Sequence, residues 1–424
     1  MAYVMQVHCP GTDEYDVTAV DHVKMFRNLP DIRFEGRIHE QVLPSIRRLG
    51  GEVAWSDVFV VHSGSDQTPE GRLKKYERDL RILRLEIEEK PDHPFVLFNL
   101  GMTYGDMGNH EEAVRWLRRT LEVAAVSESH VRKAYALLVH SLSQLGRIGE
   151  AWHVCCDGLG HFPQDTELLF RKGVLAQGTQ RWEEAIGAYR AALTAGGPRC
   201  FSSVDRSLAG YKARHNLALV YARLERWPEA ESQWRYTLEE APRFREGWRG
   251  LGEALLRQGR FAAADALLDS MPVENGNRTM ACEAAILRAE LKKARGESAA
   301  ALADLAAAAE RFPDDVDLLD VRCRLLFEHG AVDEAERALS ALCRCRPADG
   351  AAWFNLATVY LRRERLREAL RAYETSARLR PDHAATREHL RHVRMLLESY
   401  GDSGGSYSSV VTENGDSGSL WDGT

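Results

Sequence analysis

Eight alanines (Ala113, Ala151, Ala185, Ala230, Ala264, Ala301, Ala335 and Ala369) recur at intervals of 38, 34, 45, 34, 37, 34 and 34 residues. A period near 34 constrains the chain to a stack of like units, each too small to bury its apolar face without its neighbours. Five of the alanines are followed twelve residues later by a proline: Pro163, Pro242, Pro313, Pro347 and Pro381. Five are preceded, five residues earlier, by a glycine: Gly108, Gly146, Gly259, Gly296 and Gly330. Glycine suits the turn between two helices, alanine lets helices approach closely, and proline stops the second helix.

The first helix of each unit carries a W-x-x-L-G-x-x-Y pattern in varying completeness. Leu97, Leu100, Gly101 and Tyr104 fit it in the first unit, and Trp353, Leu356, Ala357 and Tyr360 in the last. Gly, Ala and Pro at these offsets, with this helix pattern, are the signature of the tetratricopeptide repeat. The predicted fold is therefore mainly α: a tetratricopeptide-repeat solenoid of about eight helix pairs over residues 94–399. It ends in a capping helix from Ala384 to Ser399. Leucine at Ala335 or Ala369 would overpack the helix interface by ~1–3 kcal/mol.

A small α/β segment, residues 1–66, precedes the array. Ala2–Val7, Val17–Arg27 and Glu52–His62 alternate as strands do, and Gln41–Leu49 reads as a short helix closed by Gly50-Gly51. Three or four strands and one helix are too little for an independent core, so this segment must lean on the repeats. Residues 67–93 form a connecting helix, with Leu73, Tyr76, Leu80, Leu83 and Ile87 on one face. Residues 400–424, rich in Gly, Ser and Asp, read as a disordered tail in which Trp421 is an incidental aromatic.

Lys and Arg total 56 against 63 Asp and Glu, a net charge of -7. There is no dense basic block with interleaved aromatics, so nucleic acid is not an expected partner. No signal peptide and no run of about 18 apolar residues occurs, so no membrane association and a cytoplasmic location are expected. The eight cysteines show no C-x-x-C pair. A reduced protein is expected, with Cys343 and Cys345 the pair placed for a strained bridge or a soft metal.

The expected partner is a protein or peptide lying in the repeat groove. Side chains placed there are Phe98, Asn99 and Met102, then Lys133 and His140, then Arg171, then Lys212, His215 and Asn216. Asn99, Asn216 and Asn355 share one repeat position, where an amide serves either a bound peptide backbone or the neighbouring repeat. The paired lysines and asparagines of chaperone-binding carboxylate clamps are absent as a set. The 45-residue interval holds an 11-residue insertion around Gly196–Gly210, read either as a functional loop or as a passive connection.

In the front segment, His39 and Glu40 are adjacent at a strand-to-helix junction. Imidazole and carboxylate together serve as metal ligands or a general base, or else form a structural salt-bridge cluster. The run HVKMFRN…IRFEGRIHEQVLPSIRRLGGEVAWSDVFVVHSG resembles the last part of a family 2 glycosyltransferase catalytic domain. The segments KKYERDLRILRLEIEEKPDHPFVLFNLGMTY, RKAYALLVHSL and FSSVDRSLAGYKARHNLALVY are similar to bacterial glycosyltransferases with a C-terminal repeat array. The resemblance covers residues 1 to about 260.

It implies a remnant of a GT-A-like nucleotide-sugar-binding domain. His39 is then the candidate metal ligand, Glu40 the candidate catalytic base and Arg37 the diphosphate contact. The family's donor half, with the Asp-x-Asp that holds the metal, lies upstream of this motif, and only 38 residues precede His39 here. Asp315 and Asp317 have the Asp-x-Asp spacing but sit in a repeat turn. A divalent metal (Mn or Mg) and a nucleotide sugar are therefore expected only if the missing half is supplied elsewhere. The expected function is a repeat protein that binds a protein or peptide partner or acceptor and is not catalytic alone. The alternatives are a portion of a sugar-transferring enzyme and a pure interaction scaffold.

Overall fold

The computed structural model describes residues 2–10, 15, 17–62, 68–195, 203–273 and 277–402. The expectations for the tail at 403–424, and for the insertion before residue 203, lie outside them. The chain forms two compact units, one ending at Ala254 and the other beginning at Leu255. The division falls within the repeats.

The first unit opens with β1 (Ala2–Pro10), β2 (Val17–Phe26), a short α1 (Leu43–Arg48) and β3 (Val53–Val61). The helix starts two residues later than Gln41, with a proline in its first turn, where the missing N–H is no loss. Ala2, Val42 and Ile46 form a minimal core with Val23, Phe26, Ile32 and Val53 around it. The connecting helix α2 (Pro69–Glu89) is capped by Thr68, whose side chain accepts from the Gly71 N–H.

Then come α3 (Pro94–Asp106), α4 (His110–Val123), α5 (Val131–Gln144), α6 (Ile148–His161), α7 (Thr166–Gly178) and α8 (Trp182–Thr194). A short strand β4 (Ser203–Asp205) and a 3-10 turn (Arg206–Ala209) intervene before α9 (Tyr211–Arg223), α10 (Trp227–Glu240) and α11 (Arg245–Arg257). The second unit holds α12 (Phe261–Ser270), α13 (Arg278–Ala294), α14 (Ser298–Arg311), α15 (Val316–Glu328), α16 (Val332–Cys345), α17 (Gly350–Arg362), α18 (Leu366–Leu379) and the terminal α19 (Ala384–Asp402). Helices α3 to α18 alternate as eight predicted pairs.

All eight periodic alanines have zero exposure. All five glycines five residues before them have φ between 67° and 82°. The three repeats without that glycine place Gln180, Glu225 and Glu364 there, also at positive φ. The turn geometry is thus set by the helix pair, and glycine merely adopts it at low cost. Small residues elsewhere admit a large neighbour: a Cβ on Gly173 would sit 2.5 Å from the Tyr189 ring, and one on Gly250 2.2 Å from Trp234.

The insertion is the main departure from a plain array. Its strand β4 joins the front sheet, giving the order β3-β1-β2-β4. Thr18, Ala19 and Val20 of β2 pair antiparallel with Asp205, Val204 and Ser203. Arg206 bonds Gln6, and the Arg243 N–H donates to the Tyr15 hydroxyl at 3.1 Å. The front segment therefore leans on the repeats through a strand that enters its sheet from about 180 residues downstream.

Candidate binding site

Arg37, His39 and Glu40 lie on a tight loop closed by the Glu35–Gln41 bridge, whose two backbone hydrogen bonds are both 2.9 Å. His39 takes a left-handed φ of 55° there. Arg37 pairs with Glu89 at the end of α2. His39 is half-buried, and burial holds its imidazole below its ordinary pKa although Asp79 pulls the other way. Glu40 is exposed. Among the described residues no group of three or more His, Cys, Asp or Glu is placed to hold a metal ion. Asp315 accepts from the Leu318 N–H at 2.9 Å, so it caps α15, as an acidic helix start does. Cys343 is a buried free thiol and Cys345 an exposed one.

On the repeats, three of the sequence-selected residues come together around one carboxylate. Glu167 of α7 is buried and accepts from Lys133 Nζ at 2.7 Å and from the Arg171 guanidinium at 2.9 Å. Burial alone would raise its pKa, but the two cations win and hold it at about 2. His140 stands beside the cluster, its pKa lowered to about 4 by burial and then by Arg171 and His110.

The other selected residues are occupied differently. Phe98 packs in the core of the first repeats, and Asn99, itself buried, lines the cavity described below. The Asn99 amide donates to the Phe95 carbonyl at 2.9 Å, supporting its own helix. Met102 packs half-buried against the same core. Lys212 pairs with Asp205 at 3.2 Å, tying α9 to β4. His215 accepts from Trp234 Nε1 at 3.2 Å, and burial lowers its pKa to about 4, so it is a neutral packing element. Asn216 is half-buried.

Sequence reading missed Arg132 and Asp165. They form a buried ion pair between the start of α5 and the turn before α7, and Arg132 also donates to the Ser203 carbonyl of β4 at 3.2 Å. Asp165 in turn caps α7 through the Leu168 N–H at 2.8 Å. A signal was present: opposite charges one repeat period apart. Arg132 and Asp165 are 33 residues apart, Lys133 and Glu167 34, and Glu290 and Arg324 34.

Front segment, repeat turns and β4 together surround a cavity of about 1140 Å³. Its walls come from the 35–47 loop and helix, the end of α2, the start of α3, the turns before α5 and α7, and Val204.

This architecture, paired helices turning on positive-φ residues over buried alanines, is that of tetratricopeptide repeats. Tetratricopeptide-repeat family models match residues 99–126, 215–274, 286–350 and 350–383. The chain carries tetratricopeptide repeats. It is similar to human "Tetratricopeptide repeat protein 7A", with 31% identity over 126 residues, 30% of this chain and 13% of that protein. The chain thus spans about an eighth of that relative. A solved tetratricopeptide repeat protein from Parabacteroides merdae is 14% identical over 71% of this chain and 98% of its own, at a TM-score of 0.48. Pseudomonas aeruginosa pilF is 17% identical over 52% and 92%, at 0.40. No helix among the described residues is long and apolar enough to cross a membrane.

Proposed function

We propose that this chain is a protein-interaction module, in which the first repeats and the front segment stapled to them recognise a protein or peptide. The observation that carries this reading is the sheet shared between the two: β4, from within the repeats, pairs with β2 and completes the four-stranded sheet. The front segment thereby serves as a wall of the repeat array. The test is an array of immobilised decapeptides of varied composition probed with the full chain. A restricted, sequence-dependent subset is expected to bind, and uniform or absent binding would contradict the reading.

A second reading, a portion of a family 2 glycosyltransferase, is favoured by one feature besides the resemblance. β3 runs parallel to β1, and Val58, Phe59, Val60 and Val61 are all exposed at the sheet edge. Continuous apolar runs in parallel strands are normally covered on both faces. Calorimetry with a nucleoside diphosphate sugar and Mn²⁺ separates the two. The interaction-module reading predicts no heat that depends on His39. Metal-dependent binding lost in His39→Ala would instead establish the transferase reading.

A further inference from the structure

The wall of the cavity carries a buried carboxylate with nothing bonded to it. Glu86 of α2 is 6% exposed and lines the cavity, yet its side chain has no hydrogen-bond or ion-pair partner among the described residues. Arg37 lies in its field, but its guanidinium is bonded to Glu89 and does not line the cavity. Lys90, one helical turn after Glu86, is exposed and forms no ion pair with it. A carboxylate taken out of water is unfavourable unless a cation or hydrogen-bond donors replace the water. The cavity is therefore short of a positive charge at Glu86.

The other charges on the wall do not meet that need. Arg132 and Asp165 neutralise one another, and Glu35 pairs with Arg48. Arg47 is exposed, and the half-buried Glu128 accepts from the Ala125 N–H at 2.9 Å. Two further buried groups on the wall lack a donor. Asn99 gives its amide N–H to the Phe95 carbonyl, and its side-chain oxygen accepts nothing among the described residues. His130 is held below its ordinary pKa by burial and is neutral at pH 7; its Nε2 has no hydrogen-bond partner and stands 3.9 Å from Glu128. The Phe95 ring meets the His130 ring edge-on at 5.6 Å, so these two acceptors flank one aromatic side chain. Ile38 packs against the buried Val96 and, with the half-buried Phe95 and Phe162, supplies the apolar part of the wall.

A buried unpaired carboxylate, two acceptors without donors and apolar walls fit a long side chain with a donor-rich cationic head. We infer that the cavity binds a peptide segment through an arginine or lysine side chain, its head against Glu86 and its stem along Ile38 and Val96. A guanidinium suits the site better than an ammonium, because it is more weakly hydrated and its flat face stacks on a ring such as Phe95. At about 1140 Å³ the cavity exceeds the usual 300–1,000 Å³ of small-molecule pockets, which leaves room for flanking backbone. The inference rests on the interaction-module reading and adds its site and ligand class.

Calorimetric titration of the full chain compares the capped pentapeptide acetyl-Gly-Ser-Arg-Ser-Gly-amide with its citrulline counterpart, which keeps the shape and loses the charge, and with N-acetylargininamide. The arginine peptide is expected to bind about tenfold more tightly, or better, than either. Glu86→Gln should abolish that preference while keeping or raising the melting temperature of the free chain, since an unpaired charge leaves the interior. Glu88→Gln, the same charge change at an exposed position outside the cavity, should leave the preference intact. Equal affinity for the arginine and citrulline peptides, no binding of the arginine peptide, or a preference that survives Glu86→Gln overturns the inference. A lowered melting temperature in Glu86→Gln overturns it too, because the carboxylate would then be a structural partner. N-acetylargininamide binding as tightly as the peptide overturns it in favour of a small cationic ligand. Should decapeptides bind in the array while the arginine peptide does not bind here, the module reading stands and the cavity assignment falls.

Discussion

The repeats and the front sheet are stabilised by opposite strategies. In the repeats every structural instruction is local and redundant: an alanine with zero exposure in each unit, a positive-φ turn five residues before it, and ion pairs one period away. The front sheet is built once, with a minimal core of its own, and closes only when β4 arrives from between α8 and α9. A defect in one repeat is therefore a local loss, whereas a defect at the staple should release a whole element.

The staple depends most on Arg132, which joins β4, α5 and the cap of α7. Arg132→Leu leaves the Asp165 carboxylate buried without its partner and should cost about 3–5 kcal/mol in urea unfolding. The same change should raise proteolysis of the front segment. A loss under 1 kcal/mol would mean that the front sheet does not draw on this pair.

Acid should separate the regions next. Glu167 is held at about 2, below its ordinary 4.5, by Lys133 and Arg171 against the cost of burial. A depressed carboxylate stabilises fully above its unfolded pKa and less as pH falls towards its folded one. The first repeats should lose on the order of 3 kcal/mol between about pH 4.5 and 2, and Glu167→Gln should remove that acid limb. An unchanged limb in Glu167→Gln would place the acid sensitivity elsewhere.

Smaller effects test whether the repeat turn is as local as described. Gly330 sits at φ 76° with open space around its Cβ position, so Gly330→Ala should cost about 1–2 kcal/mol through backbone strain alone. Gln180 holds the same turn at φ 59°, and Gln180→Gly should gain about 0.5–1 kcal/mol. Opposite signs at equivalent turns would show that the helix pair, and not the residue, dictates the conformation. Matching signs would break that symmetry.

How much was legible follows the same division. Alanine spacing and the Gly and Pro offsets locate the repeats because each reports a contact within one repeat. Strands β1, β2 and β3 are readable to within a residue or two at most ends, since alternation is local too. The fourth strand was not: Ser203–Asp205 has no pattern of its own and becomes a strand only by pairing with Thr18–Val20. The burial of Phe98 was not legible for a related reason. Helical spacing gives the angle of a side chain but not which neighbour covers it, and there the next repeat does. Arg132 and Asp165 were available only to a search for charges one period apart. The cavity is assembled from six separated stretches of chain, and no single stretch announces it.

The central claim is that the front sheet is held by the repeats through β4. Native-state hydrogen exchange on the full chain, with Ser203–Asp205 replaced by Gly-Ser-Gly, tests it most directly. Amides of Val17–Phe26 should lose protection while those of α15 to α18 keep theirs. Unchanged protection across Val17–Phe26 would contradict the account, because the sheet would then be standing without its fourth strand.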